Sequence, residues 1–247
     1  MDGRGLIGIV SGLGPLAGSD VLEKALAYAA EAYGAVEDAD YPDIVLFSHG
    51  IEDFDSKGRI EDDFVRELAG VVQEIELHHP TVVGVACNTA HLHFEELRAC
   101  TSAEFVNLIE ETAEAASKVD RSYLLLSSST TRRTRLYHEA LRRRGVRFLD
   151  VSEAIQIEVD DIVHAVMGHD LDVAGLRIDG LVHRLAAGGL EFDGIIAACT
   201  ELPIAFDHSA TSATIPFIDS NRVLARALVD TYVSNRARRY QRLARVL

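Results

Sequence analysis

"TVVGVACNTAHLH", residues 81–93, begins as a run of β-branched and small apolar residues, Thr81 to Ala86. It then breaks on a cysteine followed by an amide, a hydroxyl and two histidines. A short apolar run closed by turn-forming polar residues predicts a buried strand. "FDGIIAACTELP", residues 192–203, repeats the order: an apolar run, then Cys199, then a hydroxyl residue. A strand with no polar alternation is covered on both faces, the condition of strands in a parallel sheet. Further runs of this kind are "LIGIV" (6–10), "DIVLFS" (43–48), "FVNLI" (105–109), "SYLLLSS" (122–128), "VRFLD" (146–150) and "PFID" (216–219).

Between them lie segments of helical period. Asp20 followed by Glu23 predicts a capping box opening a helix that runs to about Tyr33, with Gly34 as its stop. Further helices are predicted over 60–78, 91–100, 110–118, 131–144, 152–167, 175–187 and 220–241. Strands alternating with helices predict an α/β fold of parallel sheets flanked by helices. Cys87 and Cys199 each fall at the carboxyl end of a strand, one in each half. This predicts two similar lobes facing each other, residues 1–101 plus 208–247 and residues 102–207, with the ligand site between them. Open α/β sheets bind ligands at those strand ends.

Composition sets the class. The chain has 247 residues, 48% of them hydrophobic, and a net charge of −15 from 24 basic and 39 acidic residues. That balance argues against a general binder of nucleic acid or anionic membrane. The basic run "RRTRLYHEALRRRGVR" (132–147) carries its apolar residues at helical spacing and reads as a solvated helix face. No apolar stretch is long enough to span a membrane, and the N-terminus reads as a core strand without a signal peptide. Three cysteines make no disulfide framework and fit a reducing, cytoplasmic setting.

Four chemistries compete for the cysteine turns. "GLGPLA" (12–17) matches a dinucleotide fingerprint, but the second strand ends in Ser48-His49-Gly50 where an acid should hold a ribose, and Pro15 removes a backbone donor. Cys87, His91 and His93 include zinc-ligand types, but the two histidines diverge on a helix and no second cluster joins them, so no metal is expected. Pyridoxal phosphate needs a lysine, and Lys24, Lys57 and Lys118 all lie away from strand ends. The remaining reading is cofactor-free: one cysteine as thiolate takes a proton from a carbon, and the other as thiol returns one to the opposite face. Cys100 reads as a small buried hydrophobe.

"CNTAH" (87–91), "CTELP" (199–203) and "GIVSGLGPLAG" (8–18) together resemble the aspartate/glutamate racemase family of cofactor-independent amino-acid racemases. The glycine-rich turn at Ser11 resembles the family's "GGMGPxA". "LLLSSSTTRRTRLY" (124–137) resembles its "GLLATxGTxxSxxY", with Ser128, Thr131, Thr134 and Tyr137 at matching places. The resemblance covers nearly the whole chain. It implies a two-lobed fold with a pseudo-twofold axis, a site between the lobes, commonly a homodimer, and an amino-acid or small carboxylic-acid substrate. It makes Cys87 and Cys199 the two catalytic bases. Asn88, Thr89, Thr131 and Thr200 would serve the substrate carboxylate, with Ser11, Ser128 and Glu201 also lining the site.

Glu201 stands where glutamate racemases carry a histidine, which favours the aspartate branch. Thr89, Thr131 and Thr200 could instead cap helices, and His91 could orient its loop. Many members of the aspartate branch carry an arginine in the loop after the second strand and a lysine before the last helix of the second lobe, linked to a side-chain carboxylate. Here the loop reads "SHGIEDFDSKGR" (48–59), with Lys57 and Arg59, and the later stretch reads "VMGHDLD" (166–172), with His169 as its cationic candidate; His49 is a candidate for side-chain selection. A related isomerase or decarboxylase of a small acid, or a non-catalytic acid-binding protein, are the alternatives.

Overall fold

A computed structural model describes residues 5–51 and 61–244. Lys57 and Arg59 lie outside the described residues. The chain divides into two compact units. The first holds the described residues up to Ala86, His93–Asn107, and those from Leu224 onward; the second holds Cys87–Leu92 and Leu108–Val223.

The first unit contains β1 (Ile7–Ser11), α1 (Ala17–Tyr33), β2 (Ile44–Ser48), α2 (Glu61–Glu76), β3 (Val82–Val85), α3 (Phe94–Arg98) and β4 (Glu104–Phe105). Its sheet is parallel throughout, in the order β2-β1-β3-β4, with Ile7 opposite Ile44 on one side and Val82 on the other. Ile7, Ile9 and Val10 are wholly buried, each worth about 1.5–3 kcal/mol of hydrophobic stabilisation. The turn after β1 needs glycine at Gly12. Its φ is +105°, and a Cβ there would sit 1.8 Å from the His49 carbonyl oxygen. Gly12 of "GLGPLA" therefore seats this turn against the end of β2.

The second unit contains α4 (Leu108–Ser117), β5 (Ser122–Ser127), α5 (Ser129–Arg133), α6 (His138–Arg143), β6 (Arg147–Asp150), α7 (Glu153–Met167), α8 (Leu171–Ala187), β7 (Gly194–Ala198), α9 (Glu201–Asp207), β8 (Phe217–Asp219) and the start of α10 (Ser220–Ala244). Its sheet, β6-β5-β7-β8, is also parallel and repeats the strand order of the first. In both sheets the order reverses beside the first strand, and in the second unit that switch point lies between the carboxyl ends of β5 and β7. Ser128 follows β5 and Cys199 follows β7 there.

Several expected elements are placed differently. The strand expected at 105–109 shrinks to β4, which pairs with β3 of the first sheet. Leu108 and Ile109 instead join Thr112, Ala113 and Ala116 on the buried stripe of α4, a pattern only a helix satisfies. Helix α1 starts at Ala17, straight from the glycine turn. Asp20 is therefore a first-turn acid paired with Lys24 at 2.7 Å, not a cap. Gly34 does end it, in a left-handed conformation with its N–H turned back to Ala29 and Ala30. The helix expected at 131–144 is broken into α5 and α6 by Arg135 at φ 57°. The break turns Tyr137 into the core, where it is wholly buried. Residues 91–100 form a 3-10 turn, Thr89–His93, followed by α3. Because β8 pairs with β7, residues 208–223 count with the second unit rather than the first, and 87–92 join them.

Candidate active site

Cys87 leaves β3 after Ala86, and its turn is held from two sides. His91 is buried, and its Nε2 lies 3.1 Å from the Leu108 N–H, which can only donate. Nε2 is thus the acceptor, so Nδ1 carries the proton and donates it to the Cys87 carbonyl at 2.9 Å. This neutral tautomer orients the loop. It also spends both ring nitrogens, leaving none for a metal. Among the described residues no group of three or more His, Cys, Asp or Glu side chains is placed to hold a metal ion.

Asn88 is buried beside Cys87. The Tyr137 hydroxyl donates to its Oδ1, and its Nδ2 donates to Ser220 Oγ at 3.3 Å. The carbonyl and one amide hydrogen of Asn88 therefore face the protein rather than a ligand. Tyr137 is wholly buried, and burial pushes its hydroxyl above the ordinary tyrosine range; the charges of Cys199 and Cys87 push the same way. It acts as a donor, not a base.

Thr89, Ser128 and Thr131 form a triangle of hydroxyls. Thr89 Oγ1 lies 3.2 Å from Ser128 Oγ and 3.0 Å from Thr131 Oγ1, and Ser128 and Thr131 are 3.2 Å apart. Ser128 is the N-cap of α5 and accepts the Thr131 N–H, so the cap is Ser128 rather than Thr131. Behind it, Gln156 donates to the Ser127 carbonyl at 2.9 Å, and Ser129 donates to Asp160 at 2.5 Å.

Cys199 follows β7 almost out of solvent, 8% exposed. Its Sγ donates to Glu201 Oε2 at 3.1 Å, and the Thr200 hydroxyl donates to the same oxygen at 3.1 Å. Thr200 occupies the N-cap position of α9 but makes no cap bond with its side chain. Burial pushes the Cys199 thiol well above its ordinary range, and the Glu201 charge and bond push it further. Glu201 is 4% exposed, and burial lifts its carboxyl too, against the bonds from Cys199 and Thr200. Its other oxygen, Oε1, is buried without a partner.

One feature escaped the sequence reading. The adjacent buried residues Ser220 and Asn221, at the start of α10, each hold one cysteine turn. Ser220 accepts from Asn88, and Asn221 Nδ2 donates to the Thr200 carbonyl at 2.8 Å. In the sequence "DSN" after a strand signals only a helix start.

The remaining expected residues are in the first unit or at the surface. Ser11 is buried with its hydroxyl unpartnered, and a Cβ on Gly18 would come within 2.1 Å of that oxygen. His49 is exposed, stacked on Phe47, with Nε2 3.2 Å from Glu67. His169 is exposed in a left-handed turn after α7. Among the described residues no helix is long and apolar enough to cross a membrane.

Comparison with known proteins places the chain in a family. The sequence model of the Asp/Glu/hydantoin racemase family matches residues 10–228, most of the chain and both cysteine turns. The chain belongs to this family. The broad specificity amino-acid racemase RacX of Bacillus subtilis is 25% identical over 236 residues, covering 93% of this chain and 99% of that one. The structure of the Picrophilus torridus aspartate racemase superposes with a TM-score of 0.79 at 28% identity, covering 92% of this chain and 94% of that one. The Thermus thermophilus glutamate racemase, solved with β-chloro-D-alanine, shares the fold at a TM-score of 0.64 and 16% identity, over 95% of this chain and 82% of that one.

Proposed function

We propose that this family member is a cofactor-independent amino-acid racemase that moves the α-proton between Cys87 and Cys199, with aspartate and glutamate as the first substrates to test. The observation that carries the reading is the pair of strand-end cysteines in one compact unit, their turns tied to the adjacent residues Ser220 and Asn221. One thiolate removes the α-proton while the other thiol supplies a proton, so the stereocentre inverts without net redox change. As the α-carbon becomes carbanionic, charge moves onto the substrate carboxylate. The hydroxyls of Thr89, Ser128 and Thr131 can each rotate from the triangle to donate to it. Ser11 and His49 belong to the same reading as contacts to the rest of the substrate. The broad-specificity relative supports including neutral amino acids in the test. A homodimer working in the reducing cytoplasm completes the proposal, and light scattering tests the dimer.

The deciding experiment is α-proton exchange. The reduced protein is incubated in deuterium oxide with single-enantiomer amino acids and no cofactor. Loss of the α-proton signal is followed by NMR and inversion by chiral chromatography. Exchange with inversion that is lost in both Cys87→Ser and Cys199→Ser supports the reading. Exchange at the wild-type rate in either variant, or none on any amino acid, overturns it.

A further inference from the structure

We propose that Glu201 is a positioning residue that holds Cys199 as the proton-donating thiol of the resting protein, which leaves Cys87 as the thiolate that removes the α-proton. This deepens the two-cysteine reading and rests on it. The geometry is specific. The Cys199 thiol and the Thr200 hydroxyl converge on one carboxyl oxygen, both at 3.1 Å, inside a nearly dry turn. A thiol so placed meets two barriers to ionisation: it gives up its acceptor bond, and it sets a second negative charge beside the carboxylate. Cys87 is only half-buried, and His91 fixes its turn through the backbone carbonyl.

The charges that bear on Cys199 are those of Glu201 and Cys87. Two acids on the helices packed against α9 are engaged elsewhere: Asp160 of α7 by Ser129 and Gln156, and Asp179 of α8 by Thr211.

The proton balance follows. Cys87 sulfur takes the α-proton, so the Cα–H bond breaks, an S–H bond forms, and the electron pair stays on the carbon and its carboxylate. The Cys199 S–H then breaks as its proton forms the new Cα–H bond on the other face. The product form holds a Cys87 thiol and a Cys199 thiolate, the state Glu201 opposes. The two enantiomers of a substrate with one stereocentre therefore start from unequally populated enzyme forms. Free enantiomers have equal free energies, so kcat/KM must match in the two directions. The inequality appears as different kcat values offset by different KM values.

The test is thiol titration, which needs no substrate. Wild type and Glu201→Gln are alkylated with iodoacetamide across a pH series, and labelling of each cysteine is followed by peptide mass spectrometry. Gln keeps an acceptor and nearly the same shape while removing the charge. The midpoint of a pH profile reports ionisation whatever the access to the thiol. In wild type, Cys87 is expected to react with the lower midpoint. In Glu201→Gln the Cys199 midpoint falls, its rate at fixed pH rises about tenfold, Cys87 is unchanged, and the kcat values for the two enantiomers converge. A Cys199 midpoint at or below that of Cys87 in wild type, or one that Glu201→Gln leaves unmoved, overturns the proposal. If the Gln variant fails to fold by circular dichroism, the wild-type midpoints decide alone. Absence of α-proton exchange would remove the racemase reading without altering these midpoints, so the two failures are distinguishable.

Discussion

The turn after β3 and the turn after β7 carry the same residue at the same place relative to a parallel sheet, and they hold it by different means. At Cys87 the clamp is an imidazole on the backbone carbonyl, and the thiol is half-buried. At Cys199 the clamp is a carboxyl group on the sulfur itself, inside a buried turn. The fold places a cysteine on each turn, and the residue two or four positions later clamps the thiol in one turn and the backbone carbonyl in the other. Under the proposal made above, two near-equivalent positions serve as an unequal acid and base; Ser220 and Asn221 tie both turns to the start of one helix.

The largest effect that would break this comparison is loss of either thiol. Cys87→Ser and Cys199→Ser are each expected to lower α-proton exchange about 10²–10⁴-fold, measured by NMR in deuterium oxide. A variant that keeps the wild-type rate would show that its turn is only structural. Next is the wiring. Tyr137→Phe leaves Asn88 Oδ1 without its buried donor, and Asn221→Ala removes the donor to the Thr200 carbonyl. Each is expected to cost about 1–3 kcal/mol in urea denaturation. Tyr137→Phe should also change the alkylation rate of Cys87 more than that of Cys199, and Asn221→Ala the reverse.

A pH experiment sharpens the contrast further. Burial holds the folded Glu201 carboxyl above its unfolded value, so the folded chain retains a proton that the unfolded chain has lost. The associated stability is fully present below the ordinary carboxylate range and drains away as pH rises through the folded titration. Cys199, lifted in the same direction, adds a second loss above the ordinary thiol range. Glu201→Gln removes the first loss. Its stability relative to wild type is therefore expected to improve as pH rises from the ordinary carboxylate range through the folded titration of Glu201, read as the difference in urea midpoints. The smallest effect is a control in the first unit. Lys24→Met removes the i,i+4 pair with Asp20, should cost about 0.3–0.5 kcal/mol, and should leave both thiol profiles unchanged.

Much of the fold was legible in the chain. The apolar runs at 6–10, 81–86, 122–128 and 192–198 form the buried strands β1, β3, β5 and β7, because a run with no polar alternation can only be covered on both faces. The elements misjudged were those where two patterns overlap. "FVNLI" reads as a strand by composition, but its last two residues complete a helical stripe. The helix over 131–144 has continuous helical spacing, and nothing local marks Arg135 as the break.

The candidate site was legible as a set of residue types. Cys87 and Cys199 were marked by position, and Thr89, Ser128 and Thr131 by resemblance to a family motif. The partners of those groups were not legible. Asn88 and Thr200 were expected to donate to a ligand, yet their side chains are engaged by Tyr137, Ser220 and Glu201.

By itself the sequence determined the parallel α/β class, the strand-end placement of two cysteines and the family, because these rest on local periodicity and on short contiguous motifs. Only the tertiary structure decided which sheet claims β8, where the helix after β5 breaks, which tautomer His91 holds, and that Glu201 serves a thiol. Each of these depends on hydrogen bonds and burial. Tyr137 and Asn88, or Asn221 and Thr200, are far apart in the chain, and even neighbours such as Cys199 and Glu201 need the folded turn to bring sulfur and carboxyl together out of water.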